Sequence, residues 1–277
     1  MKKAIILIST LMNTLIITAQ ENDKEYELNH QLEVIMGIPY STIKNESIAN
    51  DEFKSVDNHN GVLLGVNYNK YFFDIFGISI GLNYTSYTKD VYQKGYFERL
   101  DQTDQDGEKF DMLYISDVTE NYAISFLEVP LTIKAIIGNP KKIYGYIEGG
   151  VIYGVFLNKG YDKSGSIENQ GRYSLNGNPY WDAVSHNNSY YGHDVEIFTK
   201  STKDIYNSHN LSGRIALGLT AVVNDNISLK IVPTYTFGMT DIIKQEVEYE
   251  NVFGQKSPYT PTKTSSVGIN FGVVFNL

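Results

Sequence analysis

T-S-S-V-G-I-N-F-G-V-V-F-N-L, residues 264–277, closes the chain. Val267, Ile269, Phe271, Val273, Phe275 and Leu277 fall on one parity. Ser266, Gly268, Asn270, Gly272 and Asn276 fall on the other, with Val274 the apolar exception. Successive side chains of a β-strand point to opposite faces. This stretch is therefore a strand with one apolar face and one small, polar face. In a soluble sandwich the apolar face would be core. In an outer-membrane barrel it would meet lipid, and the polar face would look into the lumen.

The same alternation recurs upstream in seven more segments: Glu27–Tyr40, Gly61–Tyr71, Ile75–Tyr87, Leu127–Ile137, Ile143–Leu157, Leu211–Val223 and Ile227–Phe237. In Ile75–Tyr87, for instance, Phe76, Ile78, Ile80, Leu82 and Tyr84 oppose Gly77, Ser79, Gly81, Asn83 and Thr85. Alternation sustained over this many segments is a β signal. The connections then alternate between short and long. The short ones lie around Phe72–Asp74, at Gly138–Lys142 and at Asn224–Asn226, rich in turn residues. The long ones are Ser41–Asn60, Lys89–Tyr122, Asn158–Asn210 and Gly238–Lys263. An up-and-down barrel with both termini in the periplasm produces this segregation, whereas a compact soluble domain has no reason for it. The expected fold is all-β: a transmembrane antiparallel barrel of about eight strands, with short periplasmic turns and long extracellular loops.

The N-terminus suits export. Met1-Lys2-Lys3 is a short basic region, Ala4–Thr18 is apolar, and Ala19 is a small residue at a cleavage position. Residues 1–19 are read as a signal peptide and residues 20–277 as the barrel. The stretch is too short to span a membrane and charged residues follow it at once. Without Lys2 and Lys3 the chain keeps 21 basic against 32 acidic residues, a net charge of −11. Such a chain is a poor nucleic-acid binder. It has no Cys, which excludes disulfides and thiolate chemistry.

Phe126-Leu127-Glu128-Val129-Pro130-Leu131-Thr132-Ile133-Lys134, followed by Tyr144-Gly145-Tyr146-Ile147-Glu148-Gly149-Gly150 and Tyr153-Gly154, resembles the PorT-type outer-membrane β-barrel family. The motif match covers about Phe126–Leu157. The resemblance implies a barrel in the outer membrane. Because some relatives are implicated in protein secretion, it also implies an export role as the alternative.

Six ionisable residues fall on the polar parity: Glu33, Glu128, Lys134, Glu148, Arg214 and Lys230. The lumen of a barrel of about eight strands is just filled by side chains. Three acids and three bases there could line a narrow ion path or pair into a plug, and the plug fits a lumen of this size better. Pro130 and Pro233 lie inside predicted strands and are read as bulges, because Pro removes a ladder donor. Asp101–Glu108 clusters carboxylates without a regular Ca²⁺-loop pattern. Asp106-Gly107 suits a hairpin tip instead, with Val91–Leu100 and Phe110–Val118 extending strands on either side. His186, Ser189, His193 and Asp194 could suggest a hydrolase triad, but nothing in the sequence fixes that geometry and a Tyr/Asn/His-rich surface loop explains them better. No catalytic, cofactor or metal residue is assigned. Tyr173, Tyr180, Trp181, Tyr190 and Tyr191 are candidate contact residues of the longest loop.

The expected function is non-enzymatic: a barrel presenting outer loops for binding, adhesion or envelope assembly, with a secretion role as the alternative. Expected partners are outer-membrane lipid, the barrel assembly machinery through the C-terminal strand, and other envelope or secretion proteins. Arginine at Asn270, facing the lumen, is expected to be milder than arginine at Ile269 or Phe271, facing lipid.

Overall fold

The computed structural model describes residues 29–45, 54–72, 75–103, 107–138, 142–175, 206–244 and 261–277. It also describes Pro140 and the short pieces 178–182, 184–186, 189–191, 195–201, 249–250 and 256–257. The segment read as a signal peptide lies outside these residues. Eight long strands carry the architecture: β1 His30–Asn45, β2 Leu63–Phe72, β3 Phe76–Thr103, β4 Lys109–Gly138, β5 Ile143–Leu175, β6 His209–Val222, β7 Ile227–Gly238 and β8 Thr262–Asn276. Each is antiparallel to its sequence neighbour. The ring closes where β8 pairs with β1, from Gln31 opposite Asn276 to Asn45 opposite Thr262.

The two parities meet different surroundings. Met36, Ile38, Ile133, Leu217 and Val267 point outward and are 59–63% exposed. Asn67, Thr132, Ser212, Ser228 and Asn270 point inward and are nearly fully buried. An outward apolar band of this extent is unstable against water and stable against lipid. Exposed aromatics border the band. Tyr40, Tyr84, Tyr153, Tyr235 and Phe237 mark one end, and Tyr68, Phe72, Phe76 and Phe275 the other. Amphipathic rings favour this interfacial depth. The second end holds the short connections and the chain's last residue, where the Leu277 amide donates to the His30 carbonyl at 3.0 Å. In the β6–β7 turn Asn224 Oδ1 accepts from the amides of Asn226 and Ile227, at 2.9 and 2.8 Å, the side-chain closure that makes Asn a turn residue.

Inside, glycines make room for larger neighbours. A Cβ on Gly218 would lie 2.0 Å from the Tyr146 ring, so Gly218 lets that ring lie across the lumen wall.

At the other end three strands continue far past the band. β3, β4 and β5 run 28, 30 and 33 residues, although a tilted span needs only about 9–11. Lys54–Asn58 pairs with β3, and Val195–Ser201 pairs with β5. The result is a sheet that projects beyond the barrel. Within Lys89–Tyr122 the expected strand extensions Val91–Leu100 and Phe110–Val118 are present and pair with each other. The expected loop Asn158–Asn210 is corrected, because it begins as strand up to Leu175. Apolar alternation did not reveal that strand because outside lipid neither face must be continuously apolar. Within the Asp101–Glu108 cluster, Thr103 pairs with Lys109 and Gly107 has a φ of +86°. Asp104, Gln105 and Asp106 lie outside the described residues.

Pro130 and Pro233 do not create bulges. β3 and β4 keep one register on both sides of Pro130, and β6 and β7 keep one register on both sides of Pro233. Each proline sits where the ladder to one neighbour is interrupted, while the other ladder continues through Pro130–Ile152 and Pro233–Ile269. The missing donor falls in the gap. The actual irregularities are elsewhere. One lies between Ser125 and Phe126, opposite Asn158 and Phe156, and the other between Arg99 and Gln102. The first inserts Leu157, which reverses parity along β5. Below it Glu148 and Ile152 face inward; above it Tyr161, Lys163 and Tyr173 take that side.

Candidate functional site

The lumen is stacked in layers. At the short-turn end Tyr71, Tyr144, Tyr146, Ala216, Val222 and Val232 pack with Ile136. Above them lies an ionic layer. Lys134 Nζ sits 3.2 Å from Glu33 Oε2 and 3.7 Å from Glu148 Oε2. Lys230 Nζ also pairs with Glu33 and donates to the Tyr146 hydroxyl at 3.2 Å. Asn67 and Asn69 each donate a side-chain N–H to Glu33 at 3.1 Å. Lys134 donates to Asn69 Oδ1 at 2.8 Å. Arg214 Nε faces Glu148 Oε1 at 3.8 Å. Both lysines stand over the Tyr146 ring, 5.3 and 5.6 Å from its centroid. Burying ions is costly unless they are paired and hydrogen-bonded, and these largely are. Glu128 stands apart, accepting from Thr85 Oγ1 at 2.7 Å. Five of the six lumen ions thus form one group.

The end opposite the short turns is stoppered by apolar side chains. Ile43, Tyr87, Val91, Tyr122, Ile124 and Phe126 form a buried cluster with Tyr206 and Ile242, which come from the β5–β6 and β7–β8 connections. These two connections clasp each other. The Asn207 amide donates to the Ile242 carbonyl at 2.9 Å, and its side chain donates to the carbonyls of Asp241 and Ile243 at 2.8 and 3.2 Å. Directly above the stopper Glu120 is buried, with Lys163 Nζ at 3.5 Å and the Tyr122 hydroxyl donating at 3.0 Å.

The outward face of the projecting sheet is mainly polar, with Ile115 exposed among its ion pairs. Asp90 accepts from Asn121 and lies 2.9 Å from His59 Nε2. Lys94 pairs with Asp117 at 3.0 Å, both well exposed. Near the tip Arg172 bridges Asp111 at 2.7 Å and Glu98 at 3.1 Å. The Arg172 hydrogen bond and the Asp101 amide hold the Asp111 carboxyl below its ordinary pKa. That amide belongs to a residue with a φ of +55°, so Asp111 supports an unfavourable backbone.

The closed ring, its apolar band and its polar lumen agree with a family model described as "Outer membrane protein beta-barrel domain", which matches residues 18–244. The chain belongs to this outer-membrane β-barrel family. The outer membrane is accordingly its location. The match stops before β8, the strand that closes the ring. Among solved structures, OprG from Pseudomonas aeruginosa is similar at 13% identity, covering 90% of this chain and 96% of its own, with a TM-score of 0.39. Neisserial surface protein A is similar at 8% identity, with 90% and 97% covered and a TM-score of 0.36. Ail of Yersinia pestis is similar at 10% identity, with 89% and 99% covered and a TM-score of 0.30. These likenesses concern the fold alone. A comparison with curated proteins found no match.

Within this family member the candidate contact residues separate. Tyr173 is 7% exposed and stacks on Phe110, ring centroids 5.3 Å apart, so it faces the sheet's inner side. It is thereby removed from the contact surface. Tyr180 and Trp181 pair by backbone with Tyr173 and Arg172 of β5. Tyr190 and Tyr191 pair by backbone with Ser185 and Val184. The side chains of these four lie outside the described residues, as do His193 and Asp194. Among the described residues no group of three or more His, Cys, Asp or Glu is placed to hold a metal. The stopper residues Tyr206 and Ile242 and the clasp residue Asn207 escaped sequence reading, since nothing periodic marks them. The outward row on β3 and β4 was hidden by its mixed polarity.

Proposed function

We propose that this barrel is a non-catalytic display platform, with binding, adhesion or envelope assembly carried by its projecting sheet. The observation that carries the reading is the contrast between a filled lumen and three strands that continue roughly 20 residues beyond a span's need. A packed, ion-paired lumen suits an anchor better than a conduit. A long sheet with a polar outward face suits contact with a macromolecule. Lipid is the partner of the barrel wall, and β8 is the segment offered to the assembly machinery.

The test replaces three outward residues together: Tyr92→Ala, Lys94→Glu and Ile115→Asp. The variant should keep heat-modifiable gel mobility and lose adherence of expressing cells to other cells or to matrix proteins. Undiminished adherence, with loss produced instead by a lumen change, would overturn the platform reading. The PorT-type likeness of Phe126–Leu157 favours a second reading, a place in protein export. Site-specific cross-linking from Asp225 in a periplasmic turn distinguishes it: export components should be captured there and not from Thr119 on the outer sheet.

A further inference from the structure

We propose that the centre of the lumen holds one ordered water molecule, joining Arg214 to Glu148. Three observations meet at this point. A cavity of about 10 Å³ lies among Glu33, Asn67, Glu148, Arg214, Lys230 and Asn270, roughly the space one water occupies. Arg214 Nε and Glu148 Oε1 are 3.8 Å apart, too far for a direct hydrogen bond. That Nε has no hydrogen-bond partner among the described residues, and the residue is 5% exposed. Asn67 gives its side-chain N–H to Glu33 and turns its Oδ1 over Gly81, so it walls the space without offering it an acceptor.

A polar contact longer than a hydrogen bond, beside a water-sized space, is the usual signature of a bridging water. The water accepts from Arg214 Nε and donates to Glu148 Oε1, within the roughly two to four hydrogen bonds usual for a buried water. Charge decides against an ion. A halide would accept from Arg214 but would face two carboxylates. A cation would face Arg214 and Lys230. A neutral molecule that both donates and accepts suits both sides of the Arg214–Glu148 gap. This inference is independent of the display role.

Crystals of the full-length, detergent-solubilised barrel, diffracting well enough to show ordered solvent, test it alongside crystals soaked in bromide. The expected result is a single peak within hydrogen-bond distance of Arg214 Nε and Glu148 Oε1 and no anomalous bromide signal there. Arg214 closing directly onto Glu148, or bromide in the cavity, would overturn it. Oxygen-17 relaxation dispersion on the refolded barrel gives a second measurement by counting long-lived internal waters. Arg214→Met, judged folded by gel mobility, should lower the count by one. An unchanged count would overturn the proposal; if the variant does not fold, the wild-type crystals decide alone.

Discussion

β3, β4 and β5 pass through two solvents, and one face of each changes character between them. Along β4 the inward parity is unbroken from Phe110 to Lys134. In the membrane it carries Glu128, Thr132 and Lys134; above it, Met112, Val118, Tyr122 and Ile124, with Glu120 the buried exception paired to Lys163. The outward parity does the reverse, from Val129, Leu131 and Ile133 in the band to Asp111, Asp117, Thr119 and Asn121 beyond it, with Leu113 and Ile115 the apolar exceptions. In lipid the apolar side must face out and polar groups must be satisfied inside. In water the apolar side turns in. One continuous strand obeys both rules, and the inversion falls near Phe126.

The comparison breaks most easily at the charges. Lys134→Met would leave Glu33 with one cation fewer and Glu148 without its lysine. Breaking a buried pair in this way costs roughly 3–5 kcal/mol. Lys94→Met removes an exposed cation from the outer sheet, where an ion pair contributes about 0–1 kcal/mol. Urea unfolding in lipid vesicles should separate the two variants clearly. Similar midpoints would mean that the lumen pairs are as solvated as the surface ones.

Arginine scanning sharpens the boundary. Phe271→Arg, in the lipid-facing band, should cost about 2–4 kcal/mol, while Thr119→Arg on the outer sheet should stay within about 0.5 kcal/mol. The expectation that Asn270→Arg is milder does not survive the structure. Asn270 is 2% exposed and borders a cavity of about 10 Å³ beside Arg214 and Lys230. A third cation has neither room nor a free carboxylate there, so this change should be at least as damaging as Phe271→Arg. A mild Asn270→Arg would show that the lumen is looser than its packing indicates.

What was legible in the chain follows from the same contrast. Strand positions inside the membrane could be read because lipid imposes strict alternation, as in Ile75–Tyr87 and Val267–Leu277. The inward placement of Glu33, Lys134, Glu148, Arg214 and Lys230 follows from that parity alone. Their pairing needs the three-dimensional ring, because Glu33 and Lys230 meet from strands distant in sequence. Above the membrane, Gly160–Glu168 mixes small, charged and apolar residues on both parities, so a strand there looks like a loop. The Leu157 insertion carries no local mark, yet it decides which side of β5 Tyr161 and Lys163 occupy. The clasp at Asn207 and the inward turn of Tyr173 depend on partners far along the chain.

The stopper gives a smaller, local effect. Tyr206→Ala should loosen the β5–β6 and β7–β8 connections without unfolding the ring, because the ion pairs and inter-strand ladders below remain. Protease applied to intact cells should cut these connections faster, while the urea midpoint of the barrel moves little. Planar-bilayer recordings should stay silent, since the ionic layer and the tyrosines beneath it still fill the lumen. A steady current through Tyr206→Ala would make the stopper the real gate and the layers below an open path.

The smallest effect lies at the tip of the outer sheet and depends on pH. The Asp111 carboxyl is held below its ordinary value, first by the Arg172 hydrogen bond and then by the Asp101 amide. A depressed folded-state pKa means that the clasp contributes its full stability above the unfolded value of about 3.9. That contribution is lost as pH falls through the lower folded value. Arg172 keeps its charge throughout, so the carboxyl alone sets the window. Between neutral pH and about 5 nothing should change; below about 4 the clasp should release. Because the groups are largely exposed, the loss should be confined to the tip and leave the membrane ring intact. The Asp101 amide, 3.1 Å from Asp111 Oδ1, is the natural reporter. Its NMR shift should titrate with a midpoint below 3.9 in the wild type and move up toward that value in Arg172→Gln. An identical midpoint in both would show that Arg172 does not clasp the tip in solution, and that the left-handed turn at Asp101 is held by other contacts.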